Sequence, residues 1–174
     1  MTDDKIIKIT AKKLQSTKTD EVLFTIKQLR NTGDPRILPF LFELLSTSKS
    51  EQIRSSIISL LNDLKDKNCR PEVVKALRNN NYRSIHKEIL TTCWQSGLDY
   101  SNEIGLFVEL FTERDFGVAF EAFTIIDNLE EKVDASILEP IILGLKSNIT
   151  SFKETDKESL FVELVHILEG LKND

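Results

Sequence analysis

The side chains best suited to chemistry are few in this sequence. Its 174 residues hold two cysteines, Cys69 and Cys93, and two histidines, His86 and His166. The cysteines form no CxxC pair, so neither a zinc knuckle nor a dithiol redox centre is expected. They read as free thiols of a reducing compartment. Cys93 falls on an apolar stripe next to Trp94 and reads as a buried structural thiol rather than a nucleophile. His86 adjoins Lys87 and lies close to Arg83, the setting of a surface residue. His166 stands between Val165 and Ile167, the setting of an interior or boundary histidine. Neither has a metal-ligand neighbour at useful spacing. Glu130 and Glu131 are adjacent, point to different faces, and read as a solvated helix end rather than an acid–base dyad. No phosphate loop, GxGxxG, GxSxG or HExxH occurs. The sequence therefore predicts a protein that is not an enzyme, with no catalytic residue, metal or cofactor.

Composition narrows the class further. Apolar residues make up 40% and charged residues 29%, as in an ordinary globular chain. Glycine (6) and proline (4) are scarce, which argues against a β-sandwich or barrel with its many tight turns. No apolar run approaches the roughly 20 residues that span a bilayer. The start, Met1-Thr2-Asp3-Asp4-Lys5, is polar, and no signal-type segment follows. A cytoplasmic, membrane-free protein is expected. The net charge of −5 hides an asymmetry: residues 1–87 sum to +7 and residues 88–174 to −12. Such a division can steer partners or orient head-to-tail contacts.

Apolar residues recur at helical spacing almost throughout. Ile6, Ile7, Ala11 and Leu14 mark a first helix, and Val22, Ile26 and Leu29 a second, entered through Thr19-Asp20-Glu21 and ended at Asn31-Thr32-Gly33. Asp34 then caps a helix opened by Pro35 and faced by Ile37, Leu38, Leu41 and Leu45. Further stripes run through Ile53 to Leu64, Val73 to Leu77, Ile85 to Cys93, Ile104 to Phe111, Phe116 to Leu129, Ile137 to Leu145 and Leu160 to Leu171. Ser96-Gly97 closes one helix, Ser147 to Glu158 is a polar interruption, and no strand is evident. Pro39 reads as a kink near a first turn, and Pro140 as its counterpart.

The pattern repeats. Sliding the chain by 100 residues superposes Asp34 on Asp134, Ile37 on Ile137, Leu38 on Leu138 and Leu45 on Leu145. Two units fit between, anchored at Ile37, Val73, Ile104 and Ile137, with Pro35 matching Pro71. In this register Arg70 and Ser101 occupy the capping place of the middle units. One helical hairpin cannot bury its apolar face alone, whereas stacked hairpins can.

The stretch Thr32-Gly33-Asp34-Pro35-Arg36-Ile37-Leu38-Pro39-Phe40-Leu41-Phe42-Glu43-Leu44-Leu45 resembles the turn and second helix of the HEAT-repeat family in its short form, the type related to phycobilisome lyases. The likeness extends over about residues 19–146 and is best in the first unit. It implies an all-α fold: a single right-handed α-α superhelix, or solenoid, of about ten helices. A leading helix (1–17) would be followed by armadillo-like hairpins at 19–49, 50–81, 82–113 and 114–147, then a capping helix at 155–174. It further implies a concave face lined by the second helices. The positions beside their apolar stripes are Arg36, Phe40 and Glu43, then Glu72, Lys75 and Arg78, then Asn102, Glu103, Leu106 and Glu109, then Ser136, Glu139 and Leu143. Phe40 and Leu106 would be exposed apolar contacts there.

That resemblance implies a scaffold binding a protein or peptide along its concave face. Two other readings stand beside it. Eight basic residues crowd into 49–83 with Tyr82 and Asn79 to Asn81, as in HEAT-like proteins that act on DNA, although the overall acidity disfavours nucleic acid. An accessory subunit of a lyase-type enzyme is the other. The last helix, apolar on most of its circumference, is expected either to tuck against the fourth unit or to meet a second copy of the chain.

Overall fold

An aspartate or asparagine side chain that accepts from the backbone N–H two residues ahead makes an Asx turn, a compact entry to a helix. The computed structural model describes residues 3–30 and 34–173, and these residues repeat that device. Asp34, Asp66, Asp99 and Asp134 accept from the N–H groups of Arg36, Asn68, Ser101 and Ser136 at 2.9, 2.9, 2.9 and 2.8 Å. The first three lead through short 3-10 turns, Pro35–Ile37, Lys67–Cys69 and Ser101–Glu103, into α3 (Leu38–Thr47), α5 (Arg70–Arg78) and α7 (Ile104–Glu113). The fourth opens α9 (Ala135–Ser147) directly. The intervening helices are α4 (Glu51–Asn62), α6 (His86–Ser96) and α8 (Phe116–Asp127). Ser50 and Asp115 cap α4 and α8 by accepting from Ile53 and Val118 N–H. With α1 (Asp3–Leu14), α2 (Thr19–Leu29) and α10 (Glu158–Leu171), the described residues hold ten α-helices, each packed on neighbours.

The caps reset the register of the repeat. Asp34, Asp66, Asp99 and Asp134 are spaced 32, 33 and 35 residues apart. Leu45, Leu77, Leu110 and Leu145 each stand eleven residues beyond their cap, and all are buried. Leu41, Val73 and Leu106 stand seven beyond and are buried too. The anchors Ile37, Val73, Ile104 and Ile137 are therefore not equivalent. Ile137 is 46% exposed, and Leu138 takes the core position beside it. Pro39 and Pro71 are the matched prolines, each in the first two positions of its helix, where the missing N–H would have no partner anyway. Pro39 is thus no kink, whereas Pro140 does lie inside α9. Thr19 is the first helical residue of α2 rather than its cap. The stop expected at Asn31-Thr32-Gly33 lies outside the described residues. Gly97 ends α6 in the left-handed conformation, φ +67°, which a side chain disfavours.

The chain gathers into two compact units, residues 1–98 and 99–174. In the first, α2, α4 and α6 pack in one row and α1, α3 and α5 in another. The rows are joined by α1 on α2, α3 on α4 and α5 on α6. Leu14, Val22, Ile26, Leu41, Phe42, Ile57, Leu61 and Leu77 fill the space between. Each such burial contributes about 1.5–3 kcal/mol. Half-buried Arg54 ties three helices together by donating to the Leu45 carbonyl at the end of α3 and to Glu88 Oε1 of α6 (2.6 Å). Lys65 Nζ donates to the Ser96 carbonyl at the end of α6 (2.8 Å).

In the second unit α7 and α8 form a tight hairpin, and α10 packs on both α8 and α9. Phe161, Leu164, Leu168 and Leu171 are the buried stripe of α10. The polar interruption is structural: its 3-10 turn Ile149–Phe152 delivers Phe152 against Phe161, ring centroids 4.4 Å apart and stacked. Lys157 Nζ then donates to the carbonyls of Phe111, Thr112 and Arg114 at 2.9, 3.1 and 2.9 Å, capping the end of α7. Against the expectation of no strand, Val133–Asp134 pairs in parallel with Lys172–Asn173.

Candidate interaction surface

In the first unit, Asp34 fixes the base of α3. It accepts from the Arg36 backbone and grips the Arg36 guanidinium at 2.6–3.1 Å, while Arg36 Nη1 also reaches Asp4 at 2.9 Å. The guanidinium beside it holds the Asp34 carboxyl below its ordinary range. One turn on, Phe40 is 36% exposed. Glu43 accepts from the Tyr82 hydroxyl at 3.2 Å, and the Tyr82 ring lies 6.3 Å from Phe42. Partial burial and then Glu43 push the Tyr82 phenol up. On α5, Lys75 pairs with Glu72 at 2.6 Å, and Arg78 is exposed at the last position. Thus Arg36, Glu43, Glu72 and Lys75 carry internal bonds, and Phe40 is the apolar member of this set.

In the second unit, Asn102, Glu109 and Glu139 are exposed, as expected. Leu106 is not: it is 4% exposed. The reason is the register. Counted from Asp99 it is the equivalent of Leu41 and Val73, a core position, whereas counting from Ile104 placed it beside the stripe. Leu106 is therefore removed from the contact set.

On α9, Leu143 is exposed beside the stripe as expected, whereas Ile137, expected as a core anchor, is exposed too. Leu143 is 71% exposed and Ile137 46%, with Pro140 and Gly144 also at the surface. The signal was present in the sequence. Ile137, Leu138, Ile141, Ile142, Leu143 and Leu145 are more apolar positions than one buried stripe requires. A Cβ added at Gly105 of α7 would meet Ile141 Cδ1 at 4.0 Å, so these two helices approach there with no α7 side chain intervening.

The basic run of residues 49–83 divides between structure and surface. Arg54 and the neighbouring Lys65 serve helix ends, Arg70 Nε donates to the Lys67 carbonyl at 3.4 Å, and Lys75 is paired. Lys49, Lys67 and Arg83 are exposed. An open groove of about 740 Å³ runs along the packed α2–α4 pair, lined by Leu23, Ile26, Lys27 and Arg30 on one side and Glu51, Gln52, Ser55, Ser56 and Ser59 on the other. Arg30 bridges it to Ser59 and Asp63. A second, about 600 Å³, lies where α1 meets α2.

Neither Cys69 nor Cys93 is in a disulfide, and both are buried. Burial first, then Asp66 and Asp34, push the Cys69 thiol up to about 11, so it stays protonated at neutral pH. Two histidine expectations reverse. His86 is buried at the start of α6, because the six-residue 3-10 turn Asn80–Ile85 carries the chain inward before the helix begins. His166 is exposed, because the buried stripe of α10 passes through Leu164 and Leu168. Among the described residues no group of three or more His, Cys, Asp or Glu could hold a metal, and no helix is long and apolar enough to cross a membrane.

No protein-family model matches the chain, and no curated protein matches it at a significant level.

Proposed function

We propose that this chain is a non-catalytic protein-binding module, built as a HEAT-like right-handed solenoid. Each unit has its own contact surface, the solvent side of its helices that follow the Asp caps. The observation that carries the reading is the exposure of Phe40 on α3 and of Ile137 and Leu143 on α9. Large apolar side chains that remain in solvent on capped, well-packed helices are poised to bury against a partner. The recurrence of the Asp cap and of the leucine eleven residues beyond it supports the repeat architecture. Exposed Arg78 and the Lys75–Glu72 pair give the first unit a charged margin around its apolar contact.

The experiment is capture from native lysate with partner identification. Phe40→Asp and the double variant Lys75→Glu plus Arg78→Glu are compared with the unaltered chain. These positions lie outside the buried set, so the variants keep their circular dichroism and melting temperature. Loss of a specific partner from either variant is the expected result. Unchanged capture by both would contradict a contact surface on α3 and α5.

A further inference from the structure

We propose that the solvent side of α9, with the adjoining edge of α7, is a docking strip for a basic amphipathic helix of another protein. This rests on the reading of the chain as a protein-binding module and names the chemistry of a partner. At about 100° per residue, Ile137, Pro140 and Leu143 lie on one side of α9, across an arc of roughly 120°. The opposite side already buries Leu138, Ile142 and Leu145. A single exposed leucine is ordinary. Here three apolar side chains adjoin, and Leu143 has 71% of its surface in water. Gly105 lets the strip continue onto α7 without a side chain in the way.

Charge decides the occupant. Glu109 lies one turn beyond Gly105 on α7, and Glu139 lies past Leu143 on the far margin of the arc. Both are exposed, and among the described residues neither makes an ion pair. Three of the six cations of this unit are engaged elsewhere: Lys146 with Glu169 at 2.5 Å, Lys157 with three carbonyls of α7 and the loop after it, and Lys132 with the Gly170 carbonyl at 2.7 Å. Residues 99–174 hold 6 Lys and Arg against 17 Asp and Glu, a net −11. The strip is thus an apolar floor between acidic margins. Its complement is a helix with an apolar stripe flanked by Lys or Arg. The 13 residues of α9 span about 20 Å, matching three to four turns of such a partner. Nucleic acids and anionic membranes carry the wrong sign.

The test uses the full chain and a labelled 18-residue model helix, leucine on one face and lysine and arginine on the other. A second helix carries glutamate in place of the basic residues. Fluorescence anisotropy should show the basic helix binding and the acidic one failing. Ile137→Ala with Leu143→Ala should weaken binding roughly tenfold. Glu109→Lys with Glu139→Lys should do the same and flatten the salt dependence. Glu130→Lys with Glu131→Lys, an equal change in net charge elsewhere on the unit, should leave affinity within about twofold. The proposal is overturned if the acidic helix binds as well, if neither binds, or if the Glu130 and Glu131 pair weakens binding as much as the Glu109 and Glu139 pair. A lysate partner lost from Phe40→Asp, together with failure of the basic helix, would sink the strip and leave the module reading standing.

Discussion

The two units use charge in opposite ways. Residues 1–98 carry 17 basic against 11 acidic side chains, a net +6, while residues 99–174 carry −11. In the first unit several charges are spent on internal bonds: Arg54 and Lys65 at helix ends, Arg36 on Asp34 and Asp4, and Lys75 on Glu72. In the second, Lys132, Lys146 and Lys157 are committed while Glu109 and Glu139 stand unpaired among the described residues. Among the contact positions, Phe40 of α3 is 36% exposed, whereas on α9 Ile137 is 46% and Leu143 71% exposed. A charge count alone does not locate a binding surface. Whether the charges are already satisfied does.

Substitutions can break or sharpen this comparison. The largest effect is expected at the buried repeat positions. Leu45→Ala in the first unit and Leu106→Ala in the second should each cost about 2–5 kcal/mol in denaturant unfolding, because each leaves a core void. Glu109→Ala, one turn from Leu106, should cost under about 0.5 kcal/mol. A mild Leu106→Ala would restore it to the contact surface and undo the register.

Next come the cationic helix ends. Lys157→Met removes the donor to three carbonyls and should cost about 2 kcal/mol, while Lys153→Met, exposed nearby, should be close to neutral. Arg54→Met should behave like Lys157→Met, which would show that the basic run of the first unit serves structure. The Asx caps are worth less. Asp66→Ala should cost about 1 kcal/mol, and a comparable loss at Asp99→Ala would confirm that the device is shared by both units.

The smallest effect is on pH. Arg36 lowers Asp34 in the first unit, and the Ser136 hydroxyl and N–H lower Asp134 in the second. Unfolded chains take up these protons near the ordinary value of 3.8, and folded ones only below it. The stabilisation is therefore complete above that value and is lost as pH falls through the depressed folded values. Asp34→Asn and Asp134→Asn should each flatten the fall in stability measured by acid titration of the unfolding midpoint.

Much of the helical pattern was legible because burial follows a 3.6-residue period that the sequence states openly. Asp34 and Asp134 were readable as caps, and so was Gly97 as a stop. The register of the middle repeats was not. Proline is a louder signal than aspartate, yet Pro71 occupies the place of Pro39 rather than Pro35, so the second unit slid; the third has no proline, and counting it from Ile104 rather than Asp99 put Leu106 on the wrong side of its helix. His86 escaped because a 3-10 turn before α6 has no sequence period of its own. Phe152 and Lys157 sit in a stretch whose polarity hides two buried contacts. Leu143 was legible as lying off the stripe of α9, whereas Ile137 was read as an anchor because it adjoins Leu138, which takes the core position instead.

The most direct test places a photoreactive phenylalanine analogue at position 143 of the full chain, with position 130 as an exposed comparison in the same unit. The account predicts a discrete crosslinked partner protein from position 143 that weakens with salt, and none from position 130. Equal crosslinking at both positions, or none at position 143 while a partner is still captured, would contradict a contact surface on α9.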